Sequence, residues 1–407
     1  MCCVLLCPAR IKTRPAREGL DTVSCQVLPN WCARAHTMPP GVCRTVVTAM
    51  LCYTSAHAMV APHADAVQSA ASGIRKLASL KPSFTAIDDS AQAEAFLRDH
   101  DAFLFDCDGV LWRGDDGLLP GTVETLDLLD RLGKKCVFMT NNAAKSRAAY
   151  AKRFARLGLE RVTLEQVVPS SFVAARWLAR SQQEVRQAFV IGADGLIEEM
   201  RDAGIEVLTA HDFDFPGADP ASNEAGASLA ALGEAVDALP RVGAVVVGHD
   251  TGFNFKALCL ASLFLERPGV TFVATNPDAY DVVSGHRMPG NGCFVAAIAT
   301  VAGRAPDAMC GKPAADLASY LVSTYGLDPS RTVMVGDRLD TDIALAHEMG
   351  SSSLLVLTGV ATADDVMLEL EPAASVREGA APLPTHAVSH VGRLLELIGG
   401  AGMDSGD

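Results

Sequence analysis

The sequence lacks the marks of a membrane-spanning protein. No uninterrupted apolar run in its 407 residues reaches the roughly 20 residues that a transmembrane helix needs. The longest candidate, residues 293–302, is too short. We therefore expect no membrane partner.

The twelve cysteines contain no C-x-x-C pair, and no Cys/His zinc pattern accompanies the seven that fall before residue 53. The other five are scattered singly along the chain. This usage favours free thiols in a reducing compartment.

Basic residues are also in short supply, with 34 Lys and Arg against 48 Asp and Glu, a net charge of −14. Residues 1–80 depart from this balance, with eight basic and three acidic residues, which leaves −19 for the remainder. An acidic body argues against nucleic-acid binding. It does not argue against a phosphorylated small-molecule substrate, because the local charge in the site decides whether such a substrate binds.

Residues 1–80 are rich in Ala, Ser, Thr and Arg and show no strand pattern. This composition is typical of an organellar transit peptide or a disordered extension. Alternatively, Met38, Met50 or Met59 is the true start and the protein is cytoplasmic. A short basic helix is expected over residues 66–80.

From residue 84 onwards, apolar runs alternate with longer helical patterns. This alternation predicts an α/β fold with parallel sheets and covering helices. Helices are expected at 123–132, 146–157 and 392–398, and a long loop at 211–226. Strands are expected at 103–105, 135–140, 189–191, 207–208, 244–247, 272–274, 333–335 and 354–357. In such sheets, ligands bind at the carboxyl ends of the strands.

Two carboxylates follow the first of these strands, in Asp106-Cys107-Asp108-Gly109. Residues i and i+2 of an extended segment point to one side, so Asp106 and Asp108 should face one small volume. Like charges repel there unless a cation neutralises them, and Mg²⁺ is the hard, oxygen-seeking choice. One carboxylate could then attack phosphorus and the other serve as acid and base. Carboxylate pairs also bind calcium, cap helices or face solvent.

Three further polar clusters follow apolar runs or sit in turns. Thr140-Asn141-Asn142 offers a hydroxyl and N–H groups to phosphate oxygens, or an N-cap to the next helix. Lys312, between Gly311 and Pro313, presents an ammonium to a phosphoryl group or forms an ordinary surface turn. Asp337 could ligate Mg²⁺, and Asp342 could orient water or the lysine.

In their order and placement, these motifs resemble the haloacid dehalogenase-like phosphohydrolases over residues 95–398. Asp106-x-Asp108, Thr140, Lys312 and Asp337 match the four family motifs. The segments that look like the phosphoglycolate phosphatase and 4-nitrophenylphosphatase branch are 106–114, 140–142, 275–278, 289–292 and 336–343.

The resemblance implies a Rossmann-like parallel-sheet core, residues 84–181 and 274–398, with an α/β cap inserted at 182–273. Residues 399–407 are expected to form a flexible tail. A chloroplast is favoured over a mitochondrion because of the same likeness, and a homodimer is what the family suggests.

The resemblance also assigns roles. Asp106 is the nucleophile that becomes an aspartyl-phosphate, and Asp108 is the acid and base. Mg²⁺ is held by the Asp106 side chain, the Asp108 backbone carbonyl and Asp337. The transferring phosphoryl oxygens are held by Thr140, by the backbone of Asn141 and Asn142, and by Lys312, with Asp342 behind them.

The predicted function is a Mg²⁺-dependent phosphatase of a small phosphorylated metabolite, first of all 2-phosphoglycolate. Pyridoxal phosphate, glycerol 3-phosphate and a broad range that includes 4-nitrophenyl phosphate are alternatives. A phospho-aspartate signalling module is a different class, which Asp108 disfavours because a built-in acid and base shortens the life of the intermediate. A catalytically dead interaction protein is disfavoured because every motif residue is present.

Overall fold

The computed structural model describes residues 63–79, 84–114, 117–180, 185–213, 225–283, 286–370 and 380–401. All of them belong to one unit, Ala61–Asp407. The seven early cysteines, the three alternative start residues and most of the expected transit peptide lie outside the described residues.

The strands within these ranges are β1 (Thr85–Ala86), β2 (Ala102–Asp106), β3 (Lys135–Thr140), β4 (Val167–Pro169), β5 (Gln187–Ile191), β6 (Glu206–Leu208), β7 (Val242–Val247), β8 (Thr271–Ala274), β9 (Tyr280–Val283), β10 (His286–Pro289), β11 (Ala308–Met309), β12 (Thr332–Gly336), β13 (Ser352–Val356) and β14 (His386–Val388). The α-helices are α1 (Ala64–Ser79), α2 (Ser90–Asp99), α3 (Thr122–Arg131), α4 (Arg147–Arg156), α5 (Ser170–Arg180), α6 (Asp194–Asp202), α7 (Ala225–Asp237), α8 (Phe255–Leu265), α9 (Asn291–Ala302), α10 (Ala315–Tyr325), α11 (Ala344–Met349), α12 (Ala363–Leu370) and α13 (Arg393–Ala401). Among the described helices, none has the length and apolarity to cross a bilayer.

The first sheet has seven strands in the order β1-β14-β13-β12-β2-β3-β4. Every pairing in it is parallel. β2 lies inside the sheet, where Phe105 is paired with Val335 of β12 and Phe138 of β3. All five residues of β2 are buried, as its near-continuous apolar sequence predicts for a strand covered on both faces.

The second sheet has five parallel strands in the order β11-β8-β7-β5-β6. It continues past residue 273, where the expected cap ends, because β11 pairs with β8 in the register Ala308 with Val273. Helix α9 packs nearby, since its Val295 and Ile298 share an apolar cluster with β7 and β8. Residues 275–307 thus connect two neighbouring strands of the second sheet.

The predicted α/β class with parallel sheets is confirmed, and each predicted strand is present. The predicted helix at 146–157 is α4, with Ser146 as its N-cap and Gly158 just beyond it at φ +81°. The unpredicted strands β1, β4, β9, β10, β11 and β14 are only two to four residues long. Such lengths carry no readable period-2 pattern.

The short helix expected over residues 66–80 is present as α1, and the last helix extends further than expected. α1 buries Ala70, Ile74 and Leu77, and Lys76 pairs with Asp364 of α12 at 2.6 Å. Residues 64–79 are thus a packed helix. At the other end, α13 continues through Ala401, beyond the expected boundary at 398. Residues 402–407 lie outside the described residues.

The two sheets share one apolar core. A single cluster of buried side chains contains Leu104 and Met139 of the first sheet together with Val190 and Val246 of the second. Helices α5 and α10 contribute to the same cluster, as Leu178 illustrates. Because interiors pack densely, this shared core holds the two sheets in a defined relation.

Two neighbouring histidines predict a loss of stability in acid. Burial, and then the neighbouring His100, lower the pKa of His386 to about 4, and burial also lowers the pKa of His100. The ring centroids lie 5.8 Å apart. A folded-state pKa below the unfolded value means that stability is complete above pH 6.5. For His386 it falls as the pH drops towards 4, by up to about 1 kcal/mol per pH unit, and His100 acts in the same direction.

We expect His386→Gln to reduce this slope, measured as the free energy of unfolding in urea between pH 7.5 and 4.5. His347→Gln, at an exposed histidine, is the matched control. An unchanged slope in folded His386→Gln would show that this histidine does not carry the effect.

Candidate active site

The site lies where the carboxyl ends of β2, β3 and β12 meet. A cavity of about 380 Å³ opens there, between the first sheet and loops of the second. The predicted site residues that line it are Asp106, Asp108, Thr140, Asn141, Asn142, Lys312 and Asp337. Asp342 is fully buried beside them.

A buried lysine joins two of the carboxylates. The Nζ of Lys312 lies 2.5 Å from Oδ1 of Asp106 and 2.7 Å from Oδ1 of Asp342. Burial disfavours the ammonium, but the two carboxylates outweigh it and raise the pKa of Lys312. Burial also raises the pKa of Asp106, and the lysine opposes that shift. The lysine therefore compensates charge that would otherwise be buried unpaired.

Asn141 fixes the backbone that carries this lysine. Its Oδ1 accepts from the Lys312 N–H at 2.8 Å, and its Nδ2 donates to the Lys312 carbonyl at 3.1 Å. The same Nδ2 donates to Asp278 at 3.0 Å. A Cβ at Gly311 would lie 2.6 Å from the Asn141 Oδ1, so only glycine fits that approach. The sequence predicts a backbone role for Asn141, and this side-chain role was not anticipated.

The loop after β3 is held by its own hydroxyl and amide. Thr140 Oγ1 accepts from the Asn142 N–H at 3.0 Å, and Asn142 Oδ1 accepts from Ala144 N at 2.9 Å. The α4 helix is capped by Ser146, which leaves the N-cap alternative for Thr140-Asn141-Asn142 without support. The Asn142 N–H is thus already engaged by Thr140.

Three carboxylates could hold a metal ion. Among the described residues, oxygens of Asp106, Asp337 and Asp342 lie within 4.8 Å of one another. Both oxygens of Asp342 are engaged, Oδ1 by Lys312 and Oδ2 by the N–H groups of Asp337 and Arg338. Asp342 therefore contacts the lysine from a fully buried position.

Asp337 has an oxygen that is free to bind a metal ion. Its Oδ2 accepts from Val360 N at 2.7 Å, while its buried Oδ1 has no hydrogen-bond partner among the described residues. Burial, and then Asp342, raise the pKa of Asp337 to about 7. A divalent cation would satisfy the orphaned oxygen and offset the repulsion, and an all-oxygen donor set suits a hard cation.

Asp108 is held apart from this cluster. Its Oδ1 accepts from the indole N–H of Trp112 at 2.9 Å, and burial raises the pKa of its carboxyl. Trp112 is fully buried and belongs to the apolar core. Cys107, between the two acids, is also fully buried, as the alternation of a strand predicts.

The second sheet adds residues that sequence reasoning did not assign to the site. His249, Asn276, Asp278, Asp281 and Asn291 all line the cavity. His249 packs against Phe294, with ring centroids 5.5 Å apart. For Asn276, Asp278 and Asn291 the sequence offered the segments 275–278 and 289–292, which carried a family likeness without roles.

A carboxylate beside a fixed ammonium, with oxygen ligands for a cation at the carboxyl edge of a parallel sheet, is an arrangement that suits phosphoryl transfer. Comparisons with known proteins agree. A family profile described as haloacid dehalogenase-like hydrolase matches residues 103–206, and a second, HAD-hydrolase-like profile matches residues 309–380.

Two curated relatives come from Arabidopsis thaliana. Phosphoglycolate phosphatase 2 is 40% identical over 270 residues, which is 66% of this chain and 86% of the relative. Phosphoglycolate phosphatase 1A, chloroplastic, is 37% identical over 284 residues, 69% of this chain and 75% of the relative.

Two solved structures share the fold. A p-nitrophenyl phosphatase from Archaeoglobus fulgidus has a TM-score of 0.58 and 27% identity, covering 73% of this chain and 99% of that one. A glycerol phosphate phosphatase from Mycobacterium tuberculosis in complex with magnesium has a TM-score of 0.57 and 29% identity, covering 74% and 77%.

The chain belongs to the haloacid dehalogenase-like hydrolases, in the phosphoglycolate phosphatase and 4-nitrophenylphosphatase branch of phosphoric monoester hydrolases.

Gly359 gives a direct test of the carboxylate cluster. A Cβ at this position would lie 1.7 Å from Oδ2 of Asp337, so Gly359→Ala must displace that carboxylate. We expect divalent-cation binding to weaken by about 10- to 100-fold, as for other changes that disturb the support of a metal ligand. Titration calorimetry with MgCl₂ measures it.

Gly399→Ala is the matched control, because a Cβ there meets nothing within 4 Å. Unchanged cation affinity in a folded Gly359→Ala protein would remove Asp337 from the metal site.

Proposed function

We propose that the protein is a Mg²⁺-dependent phosphatase that hydrolyses 2-phosphoglycolate to glycolate through an aspartyl-phosphate on Asp106. The observation that carries the mechanism is the buried Lys312, in contact with Asp106 beside the carboxylate cluster. The choice of substrate draws on the 40% identity to phosphoglycolate phosphatase 2.

The metal would be held by Asp106, Asp337 and the backbone carbonyl of Asp108. The orphaned Oδ1 of Asp337 and the oxygen-only donor set support this assignment. When bound, Mg²⁺ supplies positive charge that screens the nucleophile from the negative phosphate.

Asp106 and Asp108 divide the chemistry between them. A carboxylate oxygen of Asp106 attacks phosphorus, and the bond between phosphorus and the ester oxygen breaks. Asp108 gives its proton to the departing oxygen. It then takes a proton from water, whose oxygen attacks phosphorus and releases inorganic phosphate from Asp106.

Lys312 and Thr140 bind the transferring phosphoryl group in this proposal. The ammonium of Lys312 is held by Asp106 and Asp342, and the backbone of Lys312 is held by Asn141. A preorganised positive charge stabilises the negative charge of the transition state without reorganisation. Because Thr140 already binds the Asn142 N–H, we assign Asn141 and Asn142 mainly to holding this loop in shape.

We propose the second sheet, residues 187–309, as the cap. In this proposal it encloses the end of the substrate away from phosphorus, and it contributes His249 to the lining of the cavity. A cavity of about 380 Å³ suits a small metabolite rather than a protein substrate.

A chloroplast location is part of the proposal. It is supported by the acid-poor composition of residues 1–80 and by the chloroplastic relative at 37% identity. Glycerol 3-phosphate is the first alternative substrate, since the magnesium-bound neighbour is a glycerol phosphate phosphatase.

Asp106→Asn tests the mechanism. The amide cannot act as the nucleophile, so we expect Mg²⁺-dependent phosphate release to fall by at least about 1,000-fold while the protein stays folded. Asp340→Asn is the control, since Asp340 pairs with Arg338 and lies outside the carboxylate cluster. Hydrolysis that survives in Asp106→Asn would contradict the mechanism.

A substrate panel tests the specificity. With Mg²⁺ present, kcat/KM should be highest for 2-phosphoglycolate among 2-phosphoglycolate, glycerol 3-phosphate, pyridoxal phosphate and 4-nitrophenyl phosphate. Removal of the metal with a chelator should abolish activity, and added Mg²⁺ should restore it. A strong preference for pyridoxal phosphate would overturn the substrate assignment and leave the mechanism standing.

A further inference from the structure

We propose that Trp112 is a positioning residue that fixes which oxygen of Asp108 carries the proton to the leaving group. This inference rests on the proposed role of Asp108 as acid and base. Trp112 itself does not contact the cavity: it is fully buried, and the residues that line the cavity include Asp108 but not the indole.

The contact is directional. The indole Nε1 donates to Oδ1 of Asp108 at 2.9 Å. An indole N–H is a donor only, so Oδ1 must act as an acceptor and cannot carry a proton towards the tryptophan. Oδ2 is therefore the oxygen that is left to face the substrate.

The indole is held so that it cannot follow a rotated carboxyl. Phe154 packs edge-on at 5.0 Å between ring centroids, Tyr150 is stacked at 6.5 Å, and the guanidinium carbon of Arg153 lies 4.5 Å from the ring centroid. Aromatic contacts of this kind restrict ring orientation, and a cation over the face adds to them.

Backbone hydrogen bonds also fix the turn between Cys107 and Trp112. Gly109 N donates to the Trp112 carbonyl at 2.7 Å, and Trp112 N donates to the Cys107 carbonyl at 3.2 Å. Gly109 has φ +88°, the left-handed region that this turn requires. The turn brings the indole of residue 112 back onto residue 108, and the side chain of Asp108 is thereby fixed from behind.

The leaving group decides how much this positioning matters. When Asp106 attacks, the electron pair of the breaking P–O bond goes to the ester oxygen, which takes the proton from Oδ2 of Asp108. The alkoxide of glycolate or glycerol is a poor leaving group and needs that proton. 4-Nitrophenolate is a stable anion and departs without it.

Trp112→Phe removes the donor and keeps an aromatic ring in the core. We expect kcat/KM for 2-phosphoglycolate and glycerol 3-phosphate to fall by about 10-fold, and kcat/KM for 4-nitrophenyl phosphate to change by less than about twofold, since general acid catalysis is worth roughly 100- to 10,000-fold when lost outright. Because kcat/KM reports the steps up to departure of the leaving group, hydrolysis of the intermediate does not enter it.

A purely structural role for Trp112 would reduce all three values alike, and that result would overturn the proposal. Trp177→Phe, the same substitution on α5 away from the site, is the matched control. If Trp112→Phe fails to fold, β-(3-benzothienyl)alanine introduced at position 112 replaces the N–H by sulfur and keeps the shape. The same selective loss is then expected, and equal losses again contradict the proposal.

Asp108→Asn, measured beside these variants, separates the role of Trp112 from the role of Asp108. A selective loss on the alkyl phosphates in Asp108→Asn, without one in Trp112→Phe, would overturn only the role of the tryptophan. Equal losses on all substrates in Asp108→Asn would overturn the proposed role of Asp108 itself.

Discussion

The contact between the ammonium of Lys312 and the carboxylates of Asp106 and Asp342 is the interaction on which the rest of the site depends. It lies in a region where all three side chains are almost completely buried. Removing one partner of a buried ion pair costs about 3–5 kcal/mol, because the other charge is left unpaired. The contact also joins the end of β2, the turn that carries Lys312 and the turn after β12.

The need to compensate buried charge explains the contacts of the residues around Lys312. Asn141 binds the backbone N–H and carbonyl of Lys312. It therefore fixes the position of the lysine while the ammonium stays available for other contacts. Asp342 accepts two backbone N–H groups besides the lysine and so fixes the turn after β12. Asp337 is left with one oxygen unpartnered among the described residues, and that oxygen is the natural place for a cation.

Much of the architecture follows from local sequence pattern. The predicted strands are present because apolar, β-rich runs flanked by glycine or polar residues leave little choice of structure. The gathering of Asp106, Thr140 and Asp337 also follows from sequence, since parallel strands end at one edge. The short strands β9 and β11 were missed because two to four residues carry no periodicity.

The contacts that complete the site could not be predicted in this way. The bonds from Asn141 to Lys312 span 171 residues, and their geometry depends on how the two sheets pack through their shared core. Trp112 follows the active-site turn without any local pattern that shows its burial, and only the fold shows that it is fully buried. Local pattern places the strand ends, whereas the partner of each side chain is set by tertiary packing.

The most direct test of the account is to detect the phosphorylated enzyme. In Asp108→Asn, attack by Asp106 on 4-nitrophenyl phosphate can proceed while hydrolysis of the intermediate is slowed. Acid quenching followed by mass spectrometry of the proteolytic peptides should then find phosphate on Asp106. Stoichiometric release of 4-nitrophenolate together with free inorganic phosphate, and no phosphate on Asp106, would contradict it.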